Sequence, residues 1–229
     1  MNTLAELIAE KPAATEPQRM TSIREAADSP VASRVYSVRD EQIQSLVQQL
    51  FFRQDPAPVR HVGFAAVETQ TETAQLCLDV AMALAETGSH DVGLIDVRLQ
   101  SVPLHIQLQI PADNPTDTSW QIAPRLWLAS RRSWLDDSPH GIWDHSLGRL
   151  RTTTLEFDFS ILCFDPVSWL TAKISQSCNG LVMVLTANKT RRLVAAQMKE
   201  QLRRARVPLL GTVLSERRFP VPEGLYRNL

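Results

Sequence analysis

The feature that most constrains this chain is the stretch from Val62 to Asp96, VGFAAVETQTETAQLCLDVAMALAETGSHDVGLID. An apolar run (Val62 to Val67) is followed by a polar turn, a long apolar segment ending at Gly88, and a second apolar run that closes on Asp96. Parallel strands need a crossover between them, normally a helix, so this order predicts a strand, helix, strand unit of a parallel α/β sheet.

In a domain built to hold phosphate, the loop after such a first strand carries GxxxxGK[ST], whose backbone N–H groups and lysine cradle the anion. Here the eight corresponding positions, Val67 to Ala74, read VETQTETA. The frame is present without its phosphate chemistry. A chain of 229 residues accommodates one sizeable α/β domain with a modest tail. No apolar run approaches the roughly 20 residues that cross a bilayer, and the first residues lack a basic region followed by an apolar core, so a cytoplasmic protein is expected. A net charge of −1 excludes a global field directed at nucleic acid. The charge is uneven, however: Lys189 to Leu229 carries ten Lys/Arg against three Glu, read as a solvated face or a partner patch. Cys77, Cys163 and Cys178 lie in apolar stretches without CxxC or Cys/His spacing, which predicts core thiols and no metal site.

Residues 1–37, rich in Ala, Glu, Pro, Ser and Thr, read as a flexible leader, and 38–229 as the folded domain. Ile43, Leu46, Val47 and Leu50 recur at helical spacing behind Asp40 and Glu41, predicting a helix over Asp40 to Phe52. Ser101 to Thr118 reads as a polar connection, and Ser133 to His145 as an irregular stretch. Strands are expected near 62, 92, 126, 158, 182 and 210, with Trp127 in the core. Thr190 is expected to cap a helix whose stripe is Val194, Met198, Leu202 and Ala205. The fold class that follows is α/β: a three-layer α/β/α sandwich around a mostly parallel sheet.

Five landmarks from Glu41 to Leu229 give the chain a resemblance to the cytoplasmic tyrosine autokinase domains of bacterial capsule and exopolysaccharide systems. EQIQSLVQQL resembles the family's ExxRxLRxNL; FAAVETQTETA followed by QLCLDVAMALAETG resembles its strand, loop and helix; VGLIDVRLQSVPLH resembles VLLIDxDxR; FDFSILCFDPV resembles YDxVIIDxPP; and LLGTVLSERRFPVPEGLYRNL resembles LLGxVLN with YPxIPExIYRxL. The resemblance implies a P-loop NTPase-like fold of the broad group that includes septum-site and chromosome-partitioning ATPases.

It also implies what is altered. The loop glycine corresponds to Glu72, the phosphate-binding lysine to Thr73 and the Mg²⁺-binding Ser/Thr to Ala74. Glu72 adds repulsion toward phosphate, about 4 kcal/mol for like charges about 4 Å apart at an effective dielectric near 20. Asp96 stands where the family has its first carboxylate of the second motif, but the partner position is Arg98, free to pair with Asp96 or with Glu72. The family's metal-linked aspartate corresponds to Cys163, and Asp165 takes the place of a proline. Gln44 and Val47 replace the arginines of the ring-forming helix, and Tyr36 and Tyr226 are the only tyrosines. The expectation is a pseudokinase with no catalytic residue, no metal and no cofactor, with ATP and Mg²⁺ binding in doubt. Its implied partners are a membrane polysaccharide co-polymerase or a catalytic relative of the same family, at the inner face of the plasma membrane, with dimer formation left open. Two alternatives stay open: an ATP-using enzyme with a non-standard site built on Asp96 or Asp165, and a localisation protein of the partitioning type.

Overall fold

The computed structural model describes residues 38–52, 58–68, 72–110, 118–135 and 143–216. The expected leader at 1–37, residues 53–57 and 69–71, and the PVPEGLYRNL segment lie outside the described residues. Helix α1 (Val38–Phe51) precedes strand β1 (His61–Ala66), helix α2 (Thr73–Glu86) and strand β2 (Val92–Asp96). There follow helix α3 (Leu104–Gln107), strands β3 (Ser119–Ala123) and β4 (Leu126–Ala129), helix α4 (Trp143–Leu155) and strand β5 (Phe159–Cys163). Helix α5 (Trp169–Ile174), strand β6 (Gly180–Thr186), helix α6 (Arg192–Arg204) and strand β7 (Leu209–Ser215) complete it.

The strands form one sheet in the order β3-β4-β2-β5-β1-β6-β7. Every pairing is parallel except β3 with β4. Because successive side chains in a strand point to opposite faces, the central strands feed two cores. Phe64, Leu94, Ile161 and Val182 pack with α1 and α2, whereas Ala65, Ile95, Leu162 and Leu181 pack with Trp134, Leu150, Ile174 and Leu202 on the other face. This is the expected three-layer sandwich. Helix α2 packs against α1, which buries Ile43 and Val47 of the anticipated stripe and Phe51 beyond it, while Leu46 and Leu50 are only partly buried. Gly63 permits close packing across β1: a Cβ there would meet Leu181 Cδ2 at 2.3 Å and Phe164 Cε2 at 2.5 Å.

Several local expectations are corrected. The sheet has a seventh strand, β3, which turns back against β4 through Pro124 and Arg125, the latter at φ 60°. Trp127 is only half-buried. Trp143 and His145 belong to α4 rather than to an irregular stretch; that helix buries Ser146, Leu150, Thr153 and Thr154, and its hydroxyl-rich inner face conceals the apolar period. The Thr190 hydroxyl accepts the Thr186 N–H at 2.9 Å, closing the turn, while the N-cap residue of α6 is Arg191. Ala205 follows that helix and is exposed.

Candidate functional site

In a parallel sheet all strands end at one edge, so the loops after β1, β2 and β5 meet there with the start of α2. The register sets Asp96 opposite Cys163, and Val97 N–H donates to the Cys163 carbonyl at 3.1 Å. Asp96, only 1% exposed, is the hub. One carboxylate oxygen accepts the Arg98 backbone N–H and the Arg98 Nε–H, each at 3.1 Å. The other accepts the Leu104 N–H at 2.7 Å, anchoring the start of α3. The Asp96 carbonyl accepts the indole N–H of Trp134 at 3.0 Å.

Arg98 is 4% exposed and spends its remaining reach on Gln107 Oε1 and, at 2.8 Å, the Val102 carbonyl. Burial opposes its charge, but Cys163 and the Asp96 carboxylate more than offset this, so its pKa is held above the ordinary arginine value. Of the two partners open to it in the sequence, Arg98 therefore takes Asp96; Glu72 is exposed at the N-cap position of α2, with no capping side-chain bond.

Asp165 belts the same loop from the other side. One oxygen accepts the Leu99 N–H at 2.5 Å and the Gln100 N–H at 2.8 Å, and the other accepts the Ser101 hydroxyl. Arg131 donates to the Leu99 and Ser101 carbonyls at 3.2 and 3.1 Å, with its Nε 3.9 Å from Asp96. Cys163 is fully buried against Cys77 of α2, whose thiol is pushed up by burial and then by its neighbour.

Thr73 and Ala74 open α2 and are 5% and 3% exposed, and the Thr73 hydroxyl has no hydrogen-bond partner among the described residues. They line a cleft of about 400 Å³ with Ala66, Arg98, Phe164 and Pro166. Thus Thr73, Ala74, Asp96, Arg98, Cys163 and Asp165 are brought together at the strand ends, while Glu72 is exposed at the N-cap of α2 and the acidic residue lining the cleft is Glu68. Sequence reasoning missed Arg131 and Trp134; the one available hint was that SRRSW directly follows an apolar strand. Among the described residues, no cluster of three or more His, Cys, Asp or Glu is arranged to hold a metal ion.

No protein-family model matches the sequence, and no curated protein matches it. Solved structures do. The chimerical protein CapA2B2 superposes with a TM-score of 0.64 at 17% identity, over 80% of this chain and 86% of that one. The kinase domain of the Escherichia coli tyrosine kinase ETK gives 0.58 at 14% identity, over 81% and 80%. A ParA family ATPase from Chlorobium tepidum gives 0.54 at 15%, over 68% and 73%. This chain has their fold. At these identities the likeness concerns the backbone frame, the P-loop NTPase-like sandwich, and the side chains at the strand ends have to be judged on their own geometry.

Proposed function

We propose that this chain is a catalytically inactive relative of the exopolysaccharide tyrosine autokinases, acting as a regulatory or scaffolding partner in polysaccharide synthesis and export. The observation that carries the reading is the state of Asp96. Both of its carboxylate oxygens are already engaged, by Arg98 and by the Leu104 N–H, in a buried pocket. Phosphoryl transfer rests on positioning and on neutralising phosphate charge with Mg²⁺ and lysine. The residues present do not fit a magnesium nucleotide: the cation beside Asp96 is a guanidinium, the carboxylate of Asp165 is occupied by a loop, a fully buried thiol, Cys163, stands where a metal-linked carboxylate would be needed, and Thr73 brings no charge to the start of α2.

What supports the setting is the structural likeness to a tyrosine kinase domain and to CapA2B2. A retained frame with an internally satisfied site suits a protein that is recognised by shape, with a membrane co-polymerase or a catalytic relative as its partner at the inner membrane face. No helix among the described residues is long and apolar enough to cross a membrane. The likeness to a ParA family ATPase favours a second reading, a localisation protein of the partitioning type; glycosyltransferase genes beside this one support the first reading and a division cluster the second.

The test is calorimetric titration of the full chain with ATP and ADP, with and without Mg²⁺. The expected result is no heat of binding up to millimolar nucleotide. Magnesium-dependent binding in the micromolar range would overturn the inactive reading and return attention to an unconventional site at Asp96 or Asp165.

A further inference from the structure

Helix α6 links β6 to the edge strand β7, and of its residues only Leu202 is buried. Two of its arginines are neutralised locally: Arg203 and Arg204 both donate to Glu200, at 2.7 and 2.9 Å. Among the described residues from Lys189 onward, the other acid, Glu216, is held by Lys189 at 2.7 Å. Arg191, Arg192, Lys199 and Arg206 are exposed and have no side-chain partner among the described residues. Arg192 and Lys199 are seven residues apart, which on an α-helix puts them on one flank about 10 Å apart, and Arg206 continues the charge just past the C-cap residue Ala205. Among the described residues the face is a basic strip whose acids are already paired.

Hydrophobic groups accompany the strip. Leu193, in the first turn of α6, is 70% exposed, and Leu214, near the end of the edge strand β7, is 52% exposed. The β7 register sets Leu214 beside Leu185, at the end of β6 and shortly before α6 begins, so both leucines lie toward the same end of the face. A single exposed leucine is ordinary on a protein surface. Leucines set among unpaired arginines and a lysine form a different surface, because cations gain from anionic headgroups while apolar side chains enter the boundary beneath them.

We infer that the α6 face binds directly to an anionic lipid bilayer, with Arg191, Arg192, Lys199 and Arg206 on the headgroups and Leu193 and Leu214 dipping into the interface. Charge complementarity selects an anionic surface, and the exposed leucines favour a bilayer over a nucleic acid, whose phosphate backbone offers them nothing to enter. The inference is independent of whether the strand-end site binds nucleotide.

The experiment is co-sedimentation of the full chain with vesicles of phosphatidylcholine alone and of phosphatidylcholine mixed with phosphatidylglycerol, alongside duplex DNA as a competing polyanion. Binding is expected only to the mixed vesicles and should weaken as salt shortens the screening length. Each surface cation contributes about fivefold to partitioning, so the double variant R192E/K199E should lose about 25-fold or more. Leu193→Ser should weaken vesicle binding while leaving the charge unchanged. Both sites are exposed, and circular dichroism confirms the fold of each variant; Arg191→Gln with Arg206→Gln repeats the charge test at separate positions. Absence of binding to mixed vesicles, binding that none of these variants changes, or binding to duplex DNA that exceeds binding to vesicles would each overturn the inference.

Discussion

Two arginine–carboxylate sites in this molecule invite comparison, and their distances rank them in the wrong order. On α6, Glu200 meets Arg203 at 2.7 Å and Arg204 at 2.9 Å; at the strand ends, Asp96 meets Arg98 at 3.1 Å. The shorter contacts are between side chains that are 72%, 75% and 39% exposed, the longer one between side chains 5% and 2% exposed. In water, two ions that separate lose little, because each is rehydrated and ionic strength screens them. In the interior, an ion deprived of its partner keeps its desolvation cost. The surroundings of a pair, rather than its length, decide what removing a partner does.

The largest expected effect follows from the buried hub. Replacing Asp96 by Ala strands the Arg98 guanidinium and leaves the Leu104 N–H without its acceptor. A loss of about 3–5 kcal/mol in urea unfolding is expected. A loss below about 1 kcal/mol would mean that water or a rearranged Gln107 replaces the carboxylate, and the two sites would not differ as claimed.

A double-mutant cycle sharpens this. If the cost of Asp96→Ala is mainly an abandoned charge, then adding Arg98→Met, which removes the charge and keeps much of the volume, should return part of the stability. A coupling of about 1–3 kcal/mol is expected for groups in direct contact. Simple additivity of the two single changes would show that Asp96 acts through the α3 anchor alone.

Asp165 tests the intermediate case, since it is half-buried and binds backbone N–H groups instead of a cation. Asp165→Ala should cost about 1.5–3 kcal/mol, the range for hydrogen bonds to a charged acceptor. Hydrogen exchange should accelerate at the Leu99 and Gln100 amides before it does in β2. Unchanged protection at those amides would remove Asp165 from the network.

Much of this frame was legible in the sequence because the central strands are continuous apolar runs and α1 keeps a clear period of about 3.6. Strand β3 was not legible. SWQIA is a short, half-exposed edge strand reached through a polar, proline-punctuated segment, and its pairing with β4 is a tertiary choice. The same division holds at the strand ends. Asp96 and Arg98 are two residues apart at the close of a strand, so their pairing could be anticipated. Arg131 and Trp134 reach Asp96 from more than 30 residues away, only because β4 lies beside β2 in the sheet. No local pattern carries that adjacency. Thr190 shows the opposite failure: a hydroxyl placed correctly for a cap accepts instead from the N–H of Thr186, the last residue of β6.

The smallest expected effect is on the exposed side of the comparison. Hydrogen bonds from Arg203 and then Arg204 bring the Glu200 carboxyl down from 4.5 to about 2. A carboxyl depressed in the folded state contributes stability that is complete above the unfolded value and is lost as pH falls through the folded one, here between about 4.5 and about 2. Because Glu200 is bathed in solvent, that contribution is screened, and Glu200→Gln should leave the urea midpoint at neutral pH unchanged within error. The carboxyl should nevertheless titrate by carbon NMR near 2 at low salt and move toward 4.5 as salt rises. A titration that stays near 2 at high salt, together with a lowered midpoint for Glu200→Gln, would give this surface pair the character of the buried one.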